Sequence, residues 1–374
     1  MASGLALGGQ VSAQTAVRPD QAGFDRLYQA AQQARDDNRD NDAIHLLQKA
    51  LIVRPESEEA LWYLGTLFYE KDEFAESCEI LRQFLTLRPD AGPGWAFLGL
   101  SEFRMRQYKR ALEHLEKATA NGLGDRAELT RLVLFHQAIL LTRAERFDEG
   151  MDLLVQMLSA SPQDSAMVEA AGIAGLRLPL LPAEIPANET DLVEQAGRAV
   201  IALELQNNLE AEAAFQKLLV AYPNEPGVHF LAGAYRMQLH PELAIPEFEQ
   251  ELRISPSHVL ARVRMAEQLL AQREPDRALQ LARDAIRLDP RRASAHMLAG
   301  EALLQKGDTP EGIKELETAR LADPDLRRMH WDLVRAYAAA GRKDDASREK
   351  EQIDRLIRGN TPTHLGDPAD VPHN

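Results

Sequence analysis

The chain is short of cysteine: Cys78 is the only one in 374 residues. A lone thiol excludes an intramolecular disulfide and every zinc arrangement built on a cysteine cluster. Positive charge is also scarce. Lys and Arg number 43 against 58 Asp and Glu, for a net charge of -15. A phosphate backbone would be repelled on average, so nucleic acid is not an expected partner. No apolar run reaches the ~18 residues needed to cross a bilayer. The greasiest stretch, Leu132 to Leu141, is interrupted by His136 and Gln137, so direct membrane insertion is not expected. Also missing are His-Glu-x-x-His, Gly-x-Gly-x-x-Gly, the Walker loop and Gly-x-Ser-x-Gly. The ten histidines show no metal spacing. No catalytic residue, cofactor or metal site is therefore expected.

What the chain does have is helix-favouring Ala, Leu, Glu, Arg and Gln throughout. It also has prolines at a fixed interval. Pro55 and Pro89 lie 34 residues apart, Pro256, Pro290 and Pro324 keep the same step, and Pro223 precedes Pro256 by 33. With each proline at position 32 of a repeat, other columns fall into line. From Glu58, residues Leu61, Leu64, Gly65 and Phe68 make one face of a first helix. Ser77, Leu81 and Phe84 make one face of a second. Position 8 holds Ala31, Gly65, Gly99, Ala138, Ala199, Ala232, Ala266 and Gly300. Position 20 is equally small, from Ala43, Ser77 and Ala111 to Gly312 and Ala346. Small residues at both places let two helices pass closely. Proline stops the second helix and sets the turn into the next.

These columns resemble the tetratricopeptide repeat, with Trp-Leu-Gly-Tyr in the first helix and Ala-Phe-Ala-Pro in the second. The resemblance covers about 24–177 and 192–358. It implies an all-α fold, a right-handed α-solenoid of helix-turn-helix hairpins. The expected organisation is a flexible N-terminus over 1–23, then an array of about four repeats and a partial one over 24–177. A proline-rich joint over 178–191 follows, then about five repeats over 192–358, the last capping, and a disordered tail over 359–374. Val334 and Lys350 break the columns of the last repeat, as a capping helix should. In the joint, Leu178 to Pro186 carries three prolines. It reads as a rigid spacer, or as a loop that folds over the groove or docks a partner through Leu180, Leu181 and Ile185. After the partial repeat's Ala171-Gly172, no second helix is expected.

The resemblance also implies that first helices line a concave groove, at positions 2, 5, 9, 12 and 13. In the N-terminal array these positions supply an aromatic stripe with charged margins. The candidate groove residues are Tyr28, Trp62, Thr66, Tyr69, Phe103, Arg104, Phe135 and Arg143. The C-terminal array is more mixed there, with Val193, Val200, Glu267, Met297 and Trp331. Aromatics and Arg are common hot spots, so the expected function is a scaffold or adaptor holding a peptide segment or partner protein. The other reading of each ring is packing onto the neighbouring repeat. The Lys and Asn of a carboxylate clamp are absent from positions 5 and 9. Alternatives are an accessory subunit of an enzyme or envelope-assembly complex, and a solenoid that associates with itself. Val11-Ser12-Ala13 before Gln14 resembles a signal cleavage site, which would make the protein periplasmic or secreted; otherwise it is cytoplasmic.

Overall fold

The computed structural model describes residues 19–158 and 164–358. The proposed signal remnant at 1–13 and the tail at 359–374 lie outside them. Every regular element among the described residues is helical, and two compact units divide at Val133 and Leu134. Unit 1 holds α1 (Pro19–Asp36), α2 (Asp40–Val53), α3 (Glu58–Glu70), α4 (Phe74–Leu87), α5 (Gly92–Arg104), α6 (Tyr108–Asn121) and the start of α7 (Ala127–Arg143). Unit 2 holds the rest of α7 and then α8 (Phe147–Leu158), α9 (Ser165–Gly175), α10 (Thr190–Glu204), α11 (Asn208–Ala221) and α12 (Val228–Leu239). It continues with α13 (Ala244–Ile254), α14 (Val259–Ala271), α15 (Pro275–Leu288), α16 (Ala293–Gln305), α17 (Thr309–Ala322), α18 (Arg327–Ala339) and α19 (Lys343–Arg358). The first helix begins at Pro19, inside the stretch expected to be flexible to residue 23.

Each unit is a stack of hairpins, and the repeat columns explain the stacking. A Cβ on Gly65 would meet Leu81 at 2.8 Å, and one on Gly99 would meet Leu115 at 2.9 Å. The close approach leaves room for nothing larger. Ser77 at position 20 donates its hydroxyl to the Gly65 carbonyl at 2.9 Å, which satisfies a buried polar pair. Second helices end two residues before the prolines, at Val53, Leu87, Ile254, Leu288 and Ala322. First helices other than α12 end in a left-handed residue: Asn38, Asp72, Arg106, Glu145, Gln206, Arg273, Gly307 and Gly341 all have positive φ. Only the last two are glycine, the residue that adopts this conformation without strain. Phe24, Leu47, Leu64 and Phe68 form one apolar cluster of unit 1, and Leu61, Leu81, Phe84 and Leu98 another. In unit 2, Phe248, Leu269, Met297, Leu316, Met329 and Tyr337 run through a larger one.

The proline-rich segment differs from expectation. It lies within unit 2 and links two helices in direct contact. The α9 helix ends like a first helix, with Arg177 at φ 54°. What packs on it is α10, in a crossing where the backbones almost touch. A Cβ on Gly172 would lie 2.0 Å from the Val193 carbonyl oxygen, and one on Gly197 1.8 Å from that of Val168. A helix therefore does pair with α9, displaced along the sequence by the connector. Within the connector, Pro182–Glu184 forms a 3-10 turn and Leu181 is buried. Leu181 cannot then be a docking side chain. Glu184 accepts the Leu181 N–H at 2.9 Å and pairs with Arg143 of α7.

Candidate interaction surface

The groove candidates of unit 1 come from the first helices α1, α3 and α5. Trp62, Thr66 and Tyr69 lie one turn apart on α3, and all three are half-buried. Their rings are held from the side by the next repeat. The Phe97 ring of α5 meets Trp62 at 5.6 Å and Tyr69 at 5.0 Å, both edge-on. Trp62 also meets Phe84 at 5.4 Å, and Tyr69 meets Phe74 at 5.8 Å. Edge-to-face pairs at these separations are favourable beyond their buried area. Burial raises the Tyr69 phenol pKa above its ordinary value. The Thr66 hydroxyl turns back to its own helix, donating to the Trp62 and Tyr63 carbonyls at 3.0 and 3.1 Å.

The other unit 1 candidates lie at the margins. Tyr28 stacks on Phe24 at 5.7 Å and meets Tyr63 edge-on at 6.3 Å. Phe103 is half-buried beside Tyr108, 5.7 Å between centroids. Arg104 is exposed, lies 4.6 Å over the Phe74 ring and reaches Asp72 at 3.4 Å. Both partners of Arg104 belong to the preceding hairpin, so it ties repeats together as well as marking the margin. Tyr28, Trp62 and Tyr69 thus each have one flank in inter-repeat packing and stay partly open, while Phe103 packs on Tyr108 of its own hairpin. The two readings of this stripe are compatible for half-buried residues.

The remaining candidates, Phe135 and Arg143, belong to unit 2. Phe135 is half-buried, edge-on to His136 at 5.8 Å. Arg143 is engaged by Glu184 of the connector.

In unit 2, whose inward positions are more mixed and more charged in sequence, an ion network joins the later first helices, while Trp331 stays exposed. Arg328 of α18 donates to Glu267 of α14 at 2.8 Å and to Glu301 of α16 at 2.7 Å. One guanidinium spans three consecutive first helices. Arg328 is 9% exposed and Glu267 4%, so the charges neutralise one another away from water. Met297, expected to line the groove, is 1% exposed. Beside Arg328, the Asp332 carboxyl is 1% exposed, and one of its oxygens has no hydrogen-bond partner. Burial, with Glu301 nearby, pushes its pKa up to about 6. Period and composition could not show this network, because Arg328 and Glu267 are 61 residues apart.

The described residues contain no group of three or more His, Cys, Asp or Glu placed to hold a metal ion. Among them no helix is long and apolar enough to cross a membrane.

Comparison with known proteins agrees with the repeat columns. One family model described as tetratricopeptide repeat matches residues 28–92 and 98–165, and a second matches 269–330. No curated protein matches the chain. Among solved structures, a crystal structure of MamA aligns with 19% identity over 43% of this chain and 95% of that one, at a TM-score of 0.40. MamA from Desulfovibrio magneticus RS-1 aligns with 20% identity over 45% and 96%, at 0.41. Yeast Tom70 aligns with 14% identity over 91% and 93%, at 0.34. The family models together take in about half of the 374 residues, and the chain belongs to the tetratricopeptide-repeat family.

Proposed function

We propose that the protein is a non-catalytic scaffold that holds a segment of a partner protein against the first-helix face of unit 1, along Trp62, Thr66 and Tyr69. Proteins of this repeat family are typically interaction scaffolds. The observation that carries the specific reading is the aromatic run itself. Trp62, Phe97 and Tyr69 are fixed at one flank by 5.0 to 5.6 Å ring contacts and remain partly accessible. Rings already held in place lose little freedom when a partner covers them. Arg104 is exposed beside them and supplies a charged margin.

Two variants test this. Trp62→Ala with Tyr69→Ala removes the aromatic surface and is expected to abolish partner capture. It also removes ring packing, so helical content and unfolding must be measured alongside. Thr66→Arg leaves every ring in place and puts a long charged side chain between Trp62 and Tyr69. Unimpaired capture by the folded Thr66→Arg variant would overturn the assignment. On localisation, Val11-Ser12-Ala13 supports export, with Gln14 as the first residue of the mature chain. N-terminal sequencing of protein from its source tests that.

A further inference from the structure

Six residues after five of the six position-32 prolines, the first helix presents a side chain that reaches back to that proline's carbonyl; after Pro55 the position holds Leu61, which has no donor. In unit 1, Trp95 Nε1 donates to the Pro89 carbonyl at 2.8 Å. In unit 2, Arg262 does the same to Pro256 at 2.6 Å. Those two groups are always donors. Three other hairpins of unit 2 use histidine instead. Nε2 of His229 lies 3.0 Å from the Pro223 oxygen, that of His296 3.2 Å from Pro290, and that of His330 2.8 Å from Pro324. The other ring nitrogen faces a glutamate of the hairpin's second helix. Nδ1 is 2.6 Å from Glu247 for His229, 2.7 Å from Glu315 for His296 and 2.5 Å from Glu349 for His330.

Carbonyl and carboxylate oxygens are both acceptors. A neutral imidazole has one N–H and one lone pair, so it satisfies only one of them. The imidazolium satisfies both. Two of the glutamates also pair with an arginine: Arg236 lies 3.2 Å from Glu247, and Arg320 pairs with Glu349. Around His296, Glu315 and Asp289 both favour the cation, and Arg292 is itself paired with Asp289 at 3.1 Å. The three rings are 12%, 10% and 1% exposed, so water does little to replace a lost bond.

We propose that these three histidines form a repeated proton-dependent clamp, each tying a first helix to its own second helix and to the preceding proline turn, so that this part of unit 2 tightens as pH falls through the histidine range. The hydrogen bond to Glu315 raises the His296 pKa above its ordinary value. Its contribution is therefore complete below the unfolded value of about 6.5 and is lost as pH rises through the folded one. His258 acts in the opposite sense. Its Nδ1 accepts the Ala261 N–H at 3.2 Å, and burial lowers its pKa, so its protonation on acidification loosens the same unit. It caps α14, outside the α12–α13 and α16–α19 hairpins that the three clamps tie. Asp332 also favours acid, but its effect lies below about pH 6.

The test is amide hydrogen exchange of the full chain near pH 6 and near pH 8, corrected for the intrinsic rate, with His229, His296 and His330 changed to Gln singly and together. Opening of α12–α13 and α16–α19 is expected to rise with pH in the wild type, by up to about tenfold per pH unit for each linked proton. The triple variant is expected to lose that slope. A flat wild type, or a triple variant that keeps the slope, overturns the proposal. If the triple variant does not fold, ring 15N shifts of the wild type decide. His296 is expected to remain imidazolium above the ordinary histidine value of about 6.5, and a midpoint at or below that value overturns the clamp.

Discussion

Replacing Gly197 with Ala tests the α9–α10 crossing. The added Cβ would lie 1.8 Å from the Val168 carbonyl oxygen and 2.8 Å from its carbon, against 3.4 Å or more in ordinary contact. The obstacle is backbone, so no rotamer change relieves it, and the two helices must separate by about 1.5 Å at the crossing. Overpacking of this kind costs about 1–3 kcal/mol, and separation also loosens the buried neighbours Ala171, Ala196 and Val200. Ala favours helix over Gly by about 1 kcal/mol, which offsets part of this. The expected net loss is about 2 kcal/mol, confined to unit 2. An internal control is available on α1. A Cβ on Gly23 meets nothing within 4 Å, so Gly23→Ala should gain about 0.5–1 kcal/mol. A repeat array need not unfold in one step, so hydrogen exchange resolved over α9 and α10 is a better readout than a single melting temperature. Unchanged protection in Gly197→Ala would refute the crossing, and with it the pairing of α9 with α10 across the proline-rich connector.

Other perturbations have equally direct consequences. Arg328→Met leaves Glu267 and Glu301 without their shared cation and should destabilise the last repeats by about 3–5 kcal/mol in denaturant titration. Asp332→Asn should stabilise the protein at neutral pH by about 2 kcal/mol. The folded carboxyl has its pKa raised to about 6, so stability is lost as pH rises from the ordinary carboxylate range through that value, and the variant should flatten this dependence. Ser77→Val removes the hydroxyl that satisfies the Gly65 carbonyl in a fully buried site and should cost about 1–3 kcal/mol in the same titration. Burial pushes the Cys78 thiol up to about 11, so a thiol reagent at neutral pH should label it only as fast as the chain opens.

The repeat itself was legible because it rests on local rules applied many times. Proline at position 32 follows the end of a helix in every repeat that carries it, and a helix pair approaches closely where the facing residues are small. Gly65, Ser77 and Gly99 therefore meant the same thing in the sequence as in the structure. The α9–α10 pair was not legible, because proline in the connector says where a helix stops and nothing about what returns to pack on it. Gly197, in a column position of no special meaning, was the residue that mattered. The aromatic candidates were found by position, but Phe97, which joins Trp62 to Tyr69, lies one place away from the inward set. The Arg328 bridge joins helices two repeats apart, a relation no spacing rule reaches. Donors six residues after a proline are regular enough to be read once known, though the glutamate completing each histidine clamp comes from the following helix.

The measurement that tests the interaction surface most directly is site-specific photo-crosslinking in cells of the source organism. A photoreactive residue at Thr66 lies between Trp62 and Tyr69, and one at Glu79 sits exposed on the second helix of the same hairpin. A defined protein adduct from position 66 and none from position 79 is the predicted result. Equal labelling at both positions, or an adduct from position 79 alone, would contradict it.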